Sequence, residues 1–86
     1  MDRFRLQIIT PEHIFFDEEV FMIEFNTIEG EIGVYAQHIP LTCIVKPWKL
    51  NIHGDGEVKR AAMQSGFAEI LPHQVTILTE NVAWSG

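Results

Sequence analysis

The sequence holds a single cysteine, Cys43, and only six basic residues against twelve acidic ones. It also has no long apolar run. Each absence closes off a class of protein. One cysteine cannot form an internal disulfide, which suits a reducing compartment. Six scattered Lys and Arg under a net charge of −6 supply no basic stripe for phosphates, which argues against a nucleic-acid binder. Nothing approaches the ~20 consecutive apolar residues of a membrane-spanning helix. The start, Met1-Asp2-Arg3-Phe4-Arg5, alternates charge with apolar residues and leads into no stretch of signal-peptide length. The expectation is a soluble intracellular domain.

What is there is globular: 86 residues, 47% apolar and 21% charged, enough for one domain with one thin core. Phe4, Leu6 and Ile8 alternate with Arg5 and Gln7, the pattern of a half-buried strand that Pro11 stops. Val20 to Asn26 reads as a second strand, Glu31 to Tyr35 as a third and Leu41 to Lys46 as a fourth. Trp48, Leu50 and Ile52 are expected to face inward against Lys49, Asn51 and His53. Gly54-Asp55-Gly56 supplies the positive-φ residues of a hairpin turn, and Glu57 to Met63 returns antiparallel. Phe67 to Leu71 and Gln74 to Thr79 form a second hairpin around Pro72-His73. Short strands with turn signals between them predict an all-β sandwich or barrel.

One feature resists that scheme. Phe21, Ile23 and Phe25 lie on one face of the second predicted strand while Val20 and Met22 lie on the other. A strand apolar on both faces is covered by its own loops or by a partner. Ile9, Ile44 and Leu78 raise the same question, each opposite the main apolar face of its strand.

Chemistry is sparse. The histidines at 13, 38, 53 and 73 have no metal-ligand spacing, and His13, His53 and His73 read as surface or turn residues. Ser65, in Met63-Gln64-Ser65-Gly66-Phe67, lacks the glycine pattern of a nucleophile elbow and marks a bend or bulge. Cys43 reads as a small core or interface residue. The run Asp17-Glu18-Glu19 reads as solvated surface at a loop-to-strand junction. No catalytic residue, cofactor or metal site is predicted. The stretch from Glu29 to Leu41 gathers two carboxylates, Tyr35 and His38 between two glycines and Pro40, which suits a recognition loop on a stiff scaffold.

At this loop the chain resembles the N-terminal domain of the epsilon subunit of F-type ATP synthases. The matching segments, in order, are Leu6-Gln7-Ile8-Ile9-Thr10-Pro11-Glu12, Glu29-Gly30-Glu31-Ile32-Gly33-Val34-Tyr35, His38-Ile39-Pro40-Leu41, Gly66-Phe67-Ala68-Glu69-Ile70 and Gln74-Val75-Thr76-Ile77-Leu78. The resemblance implies a flattened β-sandwich of about ten short, mostly antiparallel strands over residues 1–86. It implies a non-catalytic rotor subunit of the central stalk, coupling the ion-driven c-subunit ring to the gamma subunit. Its partners would be gamma and the c ring, with membrane association only through the complex, at the cytoplasmic face of a bacterial membrane. By position, Glu29, Glu31 and His38 would face the c ring and Thr42 and Cys43 would face gamma. Met22 and Ile44 join the gamma-facing set as apolar residues with unexplained exposure.

Two departures from the family pattern stand out. Ala36-Gln37 occupies the place of a usual Pro-Gly before the loop histidine, so Gln37 is expected to bear strain or reshape the loop. Gln64-Ser65-Gly66 replaces a usual Ser-Gly-Gly at a strand bend. The sequence given stops near the expected end of the sandwich, so the C-terminal helical hairpin through which some relatives inhibit ATP hydrolysis is not expected here. A free-standing binding module on the same fold would instead show a concave apolar pocket with convergent polar groups. A β-sandwich enzyme would show a carboxylate or histidine of shifted pKa buried in a cleft.

Overall fold

A computed structural model describes residues 2–85, and among them nine strands and no helix. The strands are β1 Phe4–Ile9, β2 Ile14–Val20, β3 Met22–Thr27, β4 Gly30–Tyr35 and β5 Leu41–Gly54. They continue with β6 Glu57–Met63, β7 Gly66–Ile70, β8 Gln74–Thr79 and β9 Val82–Trp84. They pair in the order β2-β1-β8-β7-β5-β3-β4, with β6 on β5 and β9 on β6. All pairs are antiparallel except β1 with β8. The predicted sandwich is what the chain forms, folded about the long strand β5.

β5 joins the two layers. Its first half, Leu41 to Val45, pairs with β7, and Trp48 to Gly54 pairs with β6. The predicted fourth strand and the Trp48–His53 strand are therefore one. Val45 and Leu50 are both buried although five positions apart, so the in-out alternation slips by one between them. The slip coincides with the irregular pairing of β3 between Phe25 and Thr27, next to Pro47, which has no N–H for the ladder. Trp48 falls inside the slip and is 63% exposed, not inward as predicted.

The predicted Val20–Asn26 strand is two strands. β2 ends at Val20, the chain bends at Phe21, and β3 begins at Met22. The Phe21 N–H donates to the His53 carbonyl at 2.9 Å, which holds the bend. Val20 is buried from β2, and Ile23 and Phe25 from β3, so apolar residues on opposite faces of one strand become core residues of two. Asp17-Glu18-Glu19 lies within β2 and not at a junction. β2 has a free edge, and carboxylates there discourage pairing with another chain.

Phe4, Leu6 and Ile8 of β1 meet Val75 and Ile77 of β8 and Phe25, Leu50 and Ile52 across the layers, all buried. The 54–56 turn uses one positive-φ residue, Gly56 at 75°. β9, which the sequence did not announce, is held by Trp84. Its ring lies 4.7 Å from Phe15 and 5.8 Å from Phe16, and the Lys59 ammonium sits 5.7 Å from its centroid.

Candidate interaction surface

β1, β8, β7 and the first half of β5 lie side by side, and their register aligns four outward apolar residues. Ile9 pairs with Leu78, Leu78 with Phe67, and Phe67 with Ile44. Their sequence neighbours Ile8, Ile77, Ala68 and Val45 are buried, so strand alternation turns these four outward. Ile44 is 46% exposed, Phe67 47% and Leu78 48%, with Ile9 half-buried. The next row in register is polar throughout: Thr42, Glu69, Thr76 and Gln7. The three residues whose apolarity faced the wrong way in the sequence thus belong to one stripe.

The surface along the stripe is dented. A hollow of about 330 Å³ lies by Ile9, Gly66 and Thr79, and another of about 260 Å³ by Thr42, Glu69 and Thr76. A groove of about 520 Å³ runs between the β3–β4 turn and the start of β5, walled by Ile28, Ile32, Leu41 and Ile44. Phe67 lines all three. Glu80, Glu69 and Glu29 stand at the respective hollows, and among the described residues no ion pair takes up any of the three.

Cys43 also lines the groove and is half-buried. Burial first, and then the nearby Glu29 carboxylate, push its thiol above the ordinary 9.0. Maleimide at neutral pH is expected to react with Cys43 more slowly than with a free cysteine, since the thiolate is the nucleophile. Equal rates in a stopped-flow assay would contradict this.

The structure brings Glu29 and Glu31 to the same groove as Thr42, Cys43 and Ile44, and leaves Met22 apart. Thr42 and Ile44 share the outer face of β5, Cys43 between them packs against the core, and all three line the groove. Met22 pairs with Tyr35 and His53, at the other end of β5 from Ile44. Glu29 sits in the β3–β4 turn, where its N–H donates to Thr27 Oγ1 at 3.1 Å. Glu31 is the second residue of β4 and is ion-paired with Lys49. His38 follows the far end of β4, roughly 13 Å or more along an extended chain from Glu31, and its Nδ1 lies 2.7 Å from the Ile39 carbonyl oxygen. The recognition loop is therefore strand β4 with a turn at each end.

Gln37, in the second of those turns, takes φ 69° and donates its N–H to the Pro72 carbonyl at 2.7 Å. A side chain in this left-handed region costs about 1–2 kcal/mol, part of which glycine would recover after its larger unfolded-state entropy. Gln37→Gly keeps the N–H and is expected to raise stability by about 0.5–1 kcal/mol in urea unfolding. A fall in stability would show that the Gln37 side chain holds the turn.

On the outer face of the other layer, Glu24 meets His53 Nε2 at 3.0 Å and Asn51 Nδ2 at 3.4 Å. The His53 hydrogen bond, then the Asn51 bond, hold the Glu24 carboxyl below its ordinary 4.5. A carboxyl lowered on folding adds stability above its unfolded pKa and loses it as pH falls through the folded value. Glu24→Gln is expected to flatten the decline of the urea midpoint below about pH 4.5. An unchanged acid limb would contradict it.

Among the described residues, no three His, Cys, Asp or Glu side chains gather as a metal site. The His13 ring instead closes a turn with buried Thr10, whose Oγ1 accepts from the Glu12 and His13 N–H groups, each at 3.3 Å.

The fold and surface define a β-sandwich with an apolar stripe, bordered by hollows, on one outer face. The family described as "ATP synthase, Delta/Epsilon chain, beta-sandwich domain" matches residues 3–85, and the chain belongs to it. It is 39% identical over 84 residues to the ATP synthase epsilon chain of Caldicellulosiruptor bescii, covering 98% of this chain and 61% of that one. It is 40% identical over 77 residues to that of Chloroflexus aggregans, covering 90% and 55%. The chain thus spans less than two thirds of the length of these relatives. Among solved structures it is similar to a chain in the cryo-EM structure of the Euglena gracilis mitochondrial ATP synthase (OSCP/F1/c-ring). That match has TM-score 0.90 and 25% identity and covers 95% of this chain and 53% of the other. A chain of the Tetrahymena thermophila mitochondrial ATP synthase central stalk/c-ring structure shares the fold at TM-score 0.82 and 15% identity, over 95% and 66%.

Proposed function

We propose that this chain is a non-catalytic central-stalk subunit of a rotary F-type ATP synthase, joining the ion-driven c ring to the gamma subunit. The carrying observation is the stripe Ile9–Leu78–Phe67–Ile44, an apolar row left on the outside of a well-packed sandwich. A joint that transmits torque needs an extended contact, and an apolar centre with a polar rim provides it. Gamma meets this stripe, with Thr42, Cys43 and Ile44 at its β5 end, while Met22 lies apart. The c ring meets Glu29 and Glu31, which border the groove beside the β5 end of the stripe, and His38 beyond the far end of β4. Lys49 already neutralises Glu31, so Glu29 is the carboxylate left to meet basic c-subunit loops, setting orientation more than affinity. The chain then works peripherally, at the cytoplasmic face of a bacterial membrane, with no cofactor of its own. Epsilon names among its relatives support the assignment.

The test is reconstitution of epsilon-depleted ATP synthase from the same source. Added chain should restore ATP-driven ion pumping, and a chain carrying Leu78→Asp should not. Pumping that is not restored by the wild-type chain, or restored equally by both, would contradict the proposal.

A further inference from the structure

We infer that the element of gamma seated on this stripe is an amphipathic α-helix laid across the strands, with Lys or Arg flanking its apolar edge. The inference rests on the reading that gamma meets this face, and adds the shape and charge of the partner.

Spacing selects the helix. Ile9, Leu78, Phe67 and Ile44 stand one per strand on four adjacent strands. Adjacent strands lie ~4.8 Å apart, so the row offers one apolar contact every ~4.8 Å over roughly 14 Å. A helix turn rises ~5.4 Å and returns a side chain to the same face every three or four residues. Over three steps the mismatch is only about 2 Å, within the reach of Leu or Met side chains. An extended strand on the same line repeats every ~6.7 Å and falls out of step by about 6 Å. The polar row of Thr42, Glu69, Thr76 and Gln7 keeps the contact narrow, as a helix edge is, and the hollows beside Phe67 provide seats for its side chains.

Charge selects the flanks. Glu69 and Glu80 stand at hollows beside Phe67 with no ion pair among the described residues, and the chain carries a net charge of −6. A helix bringing Lys or Arg beside its apolar residues meets this rim favourably, and an acidic one is repelled.

Photo-crosslinking to the gamma subunit of the same source tests this. Benzoylphenylalanine replaces Ile9, Leu78, Phe67 and Ile44 in turn, and the adduct on gamma is mapped by peptide sequencing. The expected result is four adducts in one gamma segment, stepping three or four residues from each to the next, with basic residues beside them. Glu69→Lys with Glu80→Lys should slow association with gamma about tenfold at low salt and flatten its salt dependence. Adducts that step by two residues, scatter over separate segments or sit among acidic residues overturn the helix, as does an association rate unmoved by the charge reversal. A chain that binds gamma yet gives no adduct at any of the four positions overturns the stripe as the contact. No binding to gamma at all overturns the reading beneath both.

Discussion

Gly66→Ala is expected to remove about 3 kcal/mol or more of folding stability. A Cβ at Gly66 would stand 2.0 Å from the Leu78 carbonyl oxygen and 3.0 Å from the Thr79 Cα, both backbone. A flexible side chain could swing aside, but the backbone of a paired strand cannot. Gly66 and Thr79 open the β7–β8 ladder, so moving one apart from the other breaks the pairing at its root. Buried Thr79 adds to the cost, because its hydroxyl lies 3.0 Å from the Gln64 carbonyl and 3.2 Å from that of Ser65, on the segment that would shift. Overpacking a rigid site typically costs 1–3 kcal/mol, and roughly 3 is a large share of the ~5–15 that hold a small domain. Gly33→Ala is the control: its Cβ would meet only the Met22 Cε at 3.5 Å, an ordinary contact. Urea unfolding should separate the two variants, and a Gly66→Ala midpoint close to the parent's would show that the 64–66 bend gives way more easily than its geometry implies.

Phe67→Asp should weaken binding to gamma about 100-fold while moving the melting temperature by no more than a few degrees. Phe67 is 47% exposed and lines every hollow along the stripe, so it is placed as the anchor of the contact and not of the core. Losing such an anchor costs roughly 2 kcal/mol or more, and a desolvated carboxylate adds to that. Binding of Phe67→Asp within threefold of the parent, measured by calorimetry, would move the gamma contact elsewhere on the molecule.

Much of this fold was legible because its hairpins carry their own turn chemistry. Pro72-His73 and Gly56 mark turns that hold in the structure, and β6, β7 and β8 stand close to where alternation put them. What escaped had physical reasons. β2 hides because edge-strand carboxylates look like a loop, and its end at Phe21 is set by a hydrogen bond to His53, 32 residues further on. Trp48 misled because the alternation it shares with Leu50 is broken by a slip that only the pairing with β3 reveals. β9 spans three residues and depends on aromatic packing against β2.

The interaction surface was half legible. Ile9, Ile44 and Leu78 stood out one by one as apolar residues on the polar side of their strands. Their union needs the parallel pairing of β1 with β8, distant in sequence, and so could not be read locally. Phe67 carries a signal of its own. With Ala68 and Ile70 facing in, alternation turns Phe67 and Glu69 out.

The most direct test of the central claim is an equilibrium titration of the chain against the gamma subunit, repeated with Ile44→Asp and Glu31→Lys. The account predicts saturable one-to-one binding, weakened at least tenfold by Ile44→Asp on the stripe and left nearly unchanged by Glu31→Lys, which lines the neighbouring groove but lies off the stripe. Loss of binding in Glu31→Lys with Ile44→Asp behaving as the parent would contradict it, because gamma would then sit on the residues assigned to the c ring.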